Sequence, residues 1–203
     1  MNTVEGTTAP ASRKLGTRDL ILAGAFAAVY LVVLLGVVMG LGVIPILFLM
    51  VPLFLGIILG PIFSVYCTKL NKPGALCILA VLVGLVEAMT GNWYALVWAV
   101  VIGLIAELLA RAGKYRSKAF YKVSYTVFSL TNMGPFWLVV LAKPAWLAAC
   151  AQYYGADYVA TIDALTPSWV VFVFIALALV GGVIGAYIGQ GLLKKHFEKA
   201  GVV

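Results

Sequence analysis

The sequence predicts an all-α membrane protein: a bundle of six transmembrane helices with both termini on the inner side (N-in/C-in). Three observations lead there. The chain of 203 residues is 64% hydrophobic and 10% charged, whereas a soluble domain carries roughly 25% charged residues. A membrane-crossing helix needs about 20 apolar residues, and the apolar runs provide six with little left over. Fourteen Lys and Arg residues are present, and a six-span path puts all but Lys143 on one side. They cluster at Arg13/Lys14/Arg18, Lys69/Lys72, the stretch from Arg111 to Lys122, and Lys194/Lys195/Lys199. Short basic loops stay in the cytoplasm, so those clusters are assigned there.

Residues 1–14, rich in Thr, Ala and Ser, are expected to be a disordered inner tail, and 15–203 a single six-helix domain. The polar start and the long apolar run after it argue against a cleaved leader. Thr17 is expected to cap span one, about 19–42, with Asp19 favouring the positive helix N-terminus. Span two, about 44–69, contains Pro45, Pro52 and Gly60-Pro61, and each proline removes a backbone donor, which predicts kinks or breaks. Asn71-Lys72-Pro73-Gly74 is a turn. Span three, about 75–90, is short and reverses at Gly91-Asn92 into span four, about 93–110. A basic connector, 111–122, leads to span five, about 123–142, weakened at Asn132-Met133-Gly134-Pro135. Residues 143–167 form the one long outer loop, expected to hold a short helix at 145–154 and then irregular chain. Span six, about 168–193, ends in an amphipathic inner tail.

Several function classes are excluded by what the chain lacks. It has no G-x-x-x-x-G-K-[ST] phosphate loop and no H-E-x-x-H, and its single histidine, His196, falls among tail lysines. No span holds paired carboxylates, so no catalytic set, metal site or cofactor is expected, and the chain is read as a non-enzyme. The net charge of +7 follows from topology and anionic lipid headgroups, and no nucleic-acid partner is expected. Cys67, Cys77 and Cys150 match no metal spacing and are read as small buried hydrophobes. No internal repeat is evident.

The positive signals are few. Span one carries Ala23-x-x-x-Ala27 and Gly24-x-x-x-Ala28, and span six carries Gly181-x-x-x-Gly185-x-x-x-Gly189 beside Gly182-x-x-x-Ala186. Such smooth faces let another helix come close. In span six this is read as packing within the bundle; in span one the partner is either this chain or another. Glu107 lies one turn before Arg111, where an i,i+4 ion pair accounts for it. Glu87 has no such neighbour, and an ionisable group at membrane depth is a functional candidate. Amides and flat rings gather at the same level: Asn92, Trp93, Trp98, Asn132, Trp137 and, from the outer loop, Tyr153. With Glu87 they form a candidate site for a planar small molecule with a polar edge. Trp146 and Trp169 are read as interfacial belt residues.

The segments TRDLILAGAFAAVYLVV, TGNWY, AELLARAGKYRSK, YTVFSLTNMGP, YGADYVATIDALTPSWV and VGGVIGAYIGQGLLKKHFEKAGVV resemble the Trep_Strep family of integral membrane proteins. That family in turn is similar to the substrate-binding S components of energy-coupling factor (ECF) transporters. The resemblance covers nearly all the chain after residue 15. It implies a multi-pass protein of the bacterial plasma membrane that binds a micronutrient outside. Delivery would run through a shared module of one transmembrane T component and two cytoplasmic ATPases. It also implies that the A-x-x-x-A pattern, here Ala23 and Ala27 with Gly24 and Ala28 beside them, docks the T component. The missing phosphate loop fits, since the partners would use the ATP. The first outer loop is reduced to about Gly40–Ile44, so 143–167 would have to serve as the lid. No vitamin-specific signature is present, and the substrate stays open. The competing readings are a self-sufficient ion-coupled carrier using Glu87 and an accessory membrane protein without a ligand.

Overall fold

The structure, a computed structural model, describes residues 15–89 and 91–197. The expectations for the 1–14 tail, the His196 side chain and the end of the inner tail lie outside the described residues. Nine α-helices are found among these residues: α1 (Thr17–Gly42), α2 (Pro45–Lys69), α3 (Ala75–Ala88), α4 (Trp93–Ala112), α5 (Lys118–Phe128), α6 (Leu138–Leu141), α7 (Lys143–Tyr154), α8 (Ala156–Leu165) and α9 (Val170–Leu192). Two 3-10 segments, Ser129–Met133 and Pro135–Trp137, join α5 to α6, and a π-helical turn, Leu193–Phe197, follows α9. No strand occurs among the described residues.

Among the described residues, four helices are long and apolar enough to cross a membrane: α1, α2, α4 and α9 with its extension to Lys195. A fifth is reached only if Pro135–Leu141 and Lys143–Tyr154, bent by 118° at their junction, are taken as one span. This is a coarser picture than six equal crossings, and the reason is local. α3 has 14 residues, about 21 Å at 1.5 Å per residue, against a hydrocarbon core of about 30 Å. The expected fifth span is not one helix, because its α-helical ladder stops at Phe128 and tightens to 3-10 geometry.

α2 and α9 form the centre, α1 packs on α2 and α3, and α4 lies against α3 and α5. The α2–α9 contact explains the glycine series. A Cβ on Gly56 would overlap the backbone at Gly181 and Gly182; one on Gly60 or Gly185 would strike the facing backbone. Gly182 faces Thr126 and Ser129 instead. The two helices therefore meet backbone to backbone, which only residues without side chains allow. That contact also corrects the expectation for α2, which runs unbroken from Pro45 to Lys69 with Pro52 and Pro61 inside it. Pro45 occupies the first turn, where no intrahelical donor is needed. Each of the other two forfeits one backbone bond, and helices on both sides hold the rod together.

Three further local readings change. Gly16, not Thr17, is the N-cap of α1; Asp19 accepts from the Gly16 amide at 2.8 Å and pairs with Lys72 at 2.7 Å. Glu107 is buried and bonds to another helix altogether. It accepts from the amides of Gly74 (2.9 Å) and Leu76 (3.0 Å) and from the Tyr115 hydroxyl (2.6 Å). It thus caps the N-terminus of α3 from outside, where the helix amides have no partners of their own. The 143–167 segment holds two helices where one was expected. Gly155, at φ 85°, breaks α7 from α8.

Candidate functional site

The tightened stretch 129–137 is the feature from which the candidate site is built. Pro135 has no amide hydrogen, so the carbonyl of Thr131 accepts from Gly134 instead, at 3.2 Å. The hydroxyls of Ser129 and Thr131 bond back to the carbonyls of Thr126 and Phe128, both at 2.8 Å, which competes with a regular ladder. Carbonyls released by this tightening are taken by side chains of neighbouring elements. Trp98 donates its indole N–H to Leu130 O at 2.6 Å, and Asn92 donates to Gly134 O at 2.8 Å. Asn132 donates to Ser129 O at 3.2 Å.

Beside this stretch, at the end of the molecule away from the basic clusters, lies a cavity of about 410 Å³. Its wall is mostly apolar: Leu34 and Val38 from α1, Phe48 and Leu55 from α2, and Phe136. Glu87 and Asn132 bring polar groups to it. Phe48 is the hub of its aromatic side, 5.1 Å from Phe136, 5.6 Å from Trp146 and 6.3 Å from Phe174. Ala145, Trp146 and Ala149 cover one side. They share a face of α7, which the 118° bend lays across the opening.

Buried polar atoms without a partner gather in the same region. They are Tyr30 Oη, Asn92 Oδ1, Asn132 Oδ1 and Trp137 Nε1. The Tyr30 hydroxyl lies beside Thr131 and Asn132, but no partner meets hydrogen-bond geometry. Native interiors satisfy nearly all such groups, so their concentration near one cavity sets this region apart from the rest of the described residues. Gly134 brings the polar groups together: a Cβ there would overlap Glu87 Oε2 and Ala95.

The expected site residues divide. Glu87 (4% exposed) and Asn132 line the cavity. Asn92 is fully buried one layer behind, its donor on Gly134. Trp98 and Trp137 stack edge-on at 5.0 Å and support the 3-10 stretch without lining the cavity. Trp93 is 64% exposed and packs on Tyr94, and Tyr153 is 82% exposed; neither faces the cavity. Trp146, taken as a belt residue, lines it. Tyr30, Phe48 and Trp146 were missed. Tyr30 had a signal in its spacing with Ala23, Ala27 and Leu34, all buried on one face of α1. Trp146 shares a helical face with Ala145 and Ala149, but a tryptophan near the interface reads equally well as an anchor.

The α7–α8 segment is fastened at its edges. Lys143 pairs with the Asp163 carboxylate at 2.6 Å and donates to the carbonyls of Asp163 (3.0 Å) and Thr166 (2.7 Å). Tyr158 donates to Gly42 O at 2.7 Å, tying α8 to the end of α1. Burial pushes the Tyr158 hydroxyl up to about 12, so it remains a donor at neutral pH.

On α1 the small residues separate by face. Ala23 (1%) and Ala27 (2%) are buried in the bundle core, while Gly24 and Ala28 are exposed, and nothing lies within 4 Å of a Cβ built on Gly24. The expectation that Ala23 and Ala27 present a docking surface is therefore corrected: this chain's own core covers them. Among the described residues, no group of three or more His, Cys, Asp or Glu could hold a metal ion.

One family model, described as a hypothetical bacterial integral membrane protein (Trep_Strep), matches residues 17–199. No curated protein and no solved structure matches the chain.

Proposed function

Since the chain belongs to the Trep_Strep family of bacterial integral membrane proteins, we propose that it is the substrate-binding subunit of an importer of the ECF type. It captures a small micronutrient outside and hands it to a T component driven by two cytoplasmic ATPases. The observation behind this reading is the cavity of about 410 Å³, with buried polar atoms without partners in its wall (Asn132) and behind it, and α7 across one side. Apolar walls with a few fixed polar groups are the usual make-up of a small-molecule site. In this reading α3 and the α5–α6 stretch complete six crossings, N-in and C-in, which sets the cavity on the outer side. The chain binds and does no chemistry of its own. Gly24 and Ala28, the outward small residues of α1, form the docking face.

Mass spectrometry of small molecules carried through purification tests the proposal. A compound retained near one per protein, lost in Asn132→Ala and Trp146→Ala but kept in Trp93→Ala, is the expected result. Protein purified from cells grown on rich medium and carrying no compound would leave the accessory-protein reading in its place. One observation favours a second reading: Glu87 lines the cavity at membrane depth, as a proton-coupling carboxylate would. Uptake into proteoliposomes driven by a proton gradient, with no ATPase present, would replace the importer reading with that of an ion-coupled carrier.

A further inference from the structure

A second cavity, of about 400 Å³, opens at the basic end between α2, α5 and α9, far from the site above. Its rim carries Arg116, Lys118 and Lys122, and among the described residues no carboxylate lines it. Ser64 and Thr68 bring hydroxyls to the wall, Gln190 donates its amide to the Lys118 carbonyl, and the buried Phe63, Tyr125 and Ala186 make the depth apolar. The rim lies at the N-terminus of α5, an 11-residue helix capped by Ser117, whose dipole adds positive potential. Lys122 lies 4.1 Å over the Tyr187 ring, a contact that holds the ammonium in place without cancelling its charge. The turn before it is built for this position. Lys114 (φ 54°) and Tyr115 (φ 55°) both adopt left-handed backbone, held by the bond from the Tyr115 amide to Ala110 O at 3.0 Å and by Tyr115 to Glu107.

We propose that this cavity binds the phosphate-bearing headgroup of an anionic phospholipid. Cations at the rim, hydrogen-bonding groups below them and an apolar depth match a phosphodiester joined to glycerol and acyl chain. A wholly soluble anion would leave the apolar part unused. Val183 and Tyr187 of α9 are exposed and one turn apart, and the Tyr187 ring lies under the Lys122 ammonium, so an apolar strip along which an acyl chain lies continues from the rim. Basic pockets between transmembrane helices are a recurrent form of lipid recognition.

The test uses the full-length protein in nanodiscs of phosphatidylcholine with 10% phosphatidylglycerol, released into detergent and weighed by native mass spectrometry. Wild type is expected to retain one phosphatidylglycerol, and Arg116→Gln/Lys122→Gln to retain at least tenfold less. Lys194→Gln/Lys195→Gln removes the same charge from the same end outside the cavity and is expected to retain the lipid as wild type does. Equal loss in both double variants would mean diffuse surface attraction and overturn the site. Retention unchanged in Arg116→Gln/Lys122→Gln would overturn it too. A separate arm offers inorganic phosphate and glycerol phosphate in pure phosphatidylcholine discs. Thermal stabilisation by either one that matches phosphatidylglycerol, and is lost in the double variant, would assign the cavity to a soluble anion and overturn the lipid. Should the double variant fail to fold, Arg116→Gln alone carries the test, since that side chain is exposed; it is expected to lower retention several-fold, and unchanged retention would overturn the site.

Discussion

Asn92 and Asn132 are the same residue type, both buried, and the fold uses them differently. The amide of Asn92 holds the backbone of Gly134, whereas Asn132 stands at the cavity wall. Asn92→Ala leaves a buried carbonyl without its donor, at a cost of about 1–3 kcal/mol in stability, to be read as a lowered thermal midpoint in detergent. Asn132→Ala is expected to weaken the ligand about ten- to a hundredfold with a smaller change in midpoint. Equal midpoints for Asn92→Ala and wild type would remove Asn92 from its structural role. The sequence revealed that both amides need partners but not which partners, because those belong to a backbone whose tightening depends on tertiary context. Glu107 shows the same boundary. Arg111 was its obvious neighbour along the helix, yet two amides of α3 and a phenol surround the carboxylate more closely. Glu107→Gln keeps the shape but leaves only one acceptor oxygen for three donors. It should lower the thermal midpoint further than Arg111→Gln does, and the reverse order would refute the capping role.

At the scale of elements, the span-six glycines were legible as a face for packing within the bundle, but the helix they pack on was not. Glycines at every fourth position declare a helix face without side chains, but Gly36-x-x-x-Gly40 of α1 and Gly56-x-x-x-Gly60 of α2 have the same spacing, and it is the second that the fold seats against α9. Gly60→Leu and Gly185→Leu are therefore expected to abolish the monodisperse folded protein, as seen by size-exclusion chromatography. Gly36→Ala, on open surface, should be neutral or gain about 0.5–1 kcal/mol from helix propensity. A Gly185→Leu protein eluting as wild type would contradict the close approach. The weakness at Asn132–Pro135 was legible too, although a proline alone does not decide it, since Pro52 and Pro61 sit inside the unbroken α2. α8 was not. Its polar, weakly patterned sequence looks like loop, and what stabilises it is a set of contacts made elsewhere: Tyr158 to α1 and Asp163 to Lys143.

For the whole molecule, charge and hydrophobicity gave membrane insertion and helical class directly, while the number of crossings was less secure. Length decides that number, and α3 and α5–α6 fall near the threshold where a tilted or supported segment still crosses. On a background free of Cys67, Cys77 and Cys150, Asp157→Cys should react with an impermeant thiol reagent on intact cells, and Arg116→Cys only after permeabilisation. The opposite pattern would invert the proposed orientation. α1 spans both ends as one rod of 26 residues, about 39 Å long at 1.5 Å per residue. Near one end Leu34 and Val38 touch the cavity; near the other Gly24 and Ala28 look outward. If a guest binds at the one and a partner docks at the other, as proposed, thermodynamic linkage makes the two equilibria reciprocal: whatever factor docking at Gly24 and Ala28 applies to the affinity of the guest, the guest must return to docking. An occupied cavity and an empty one would then present different handles to a partner that never sees the guest.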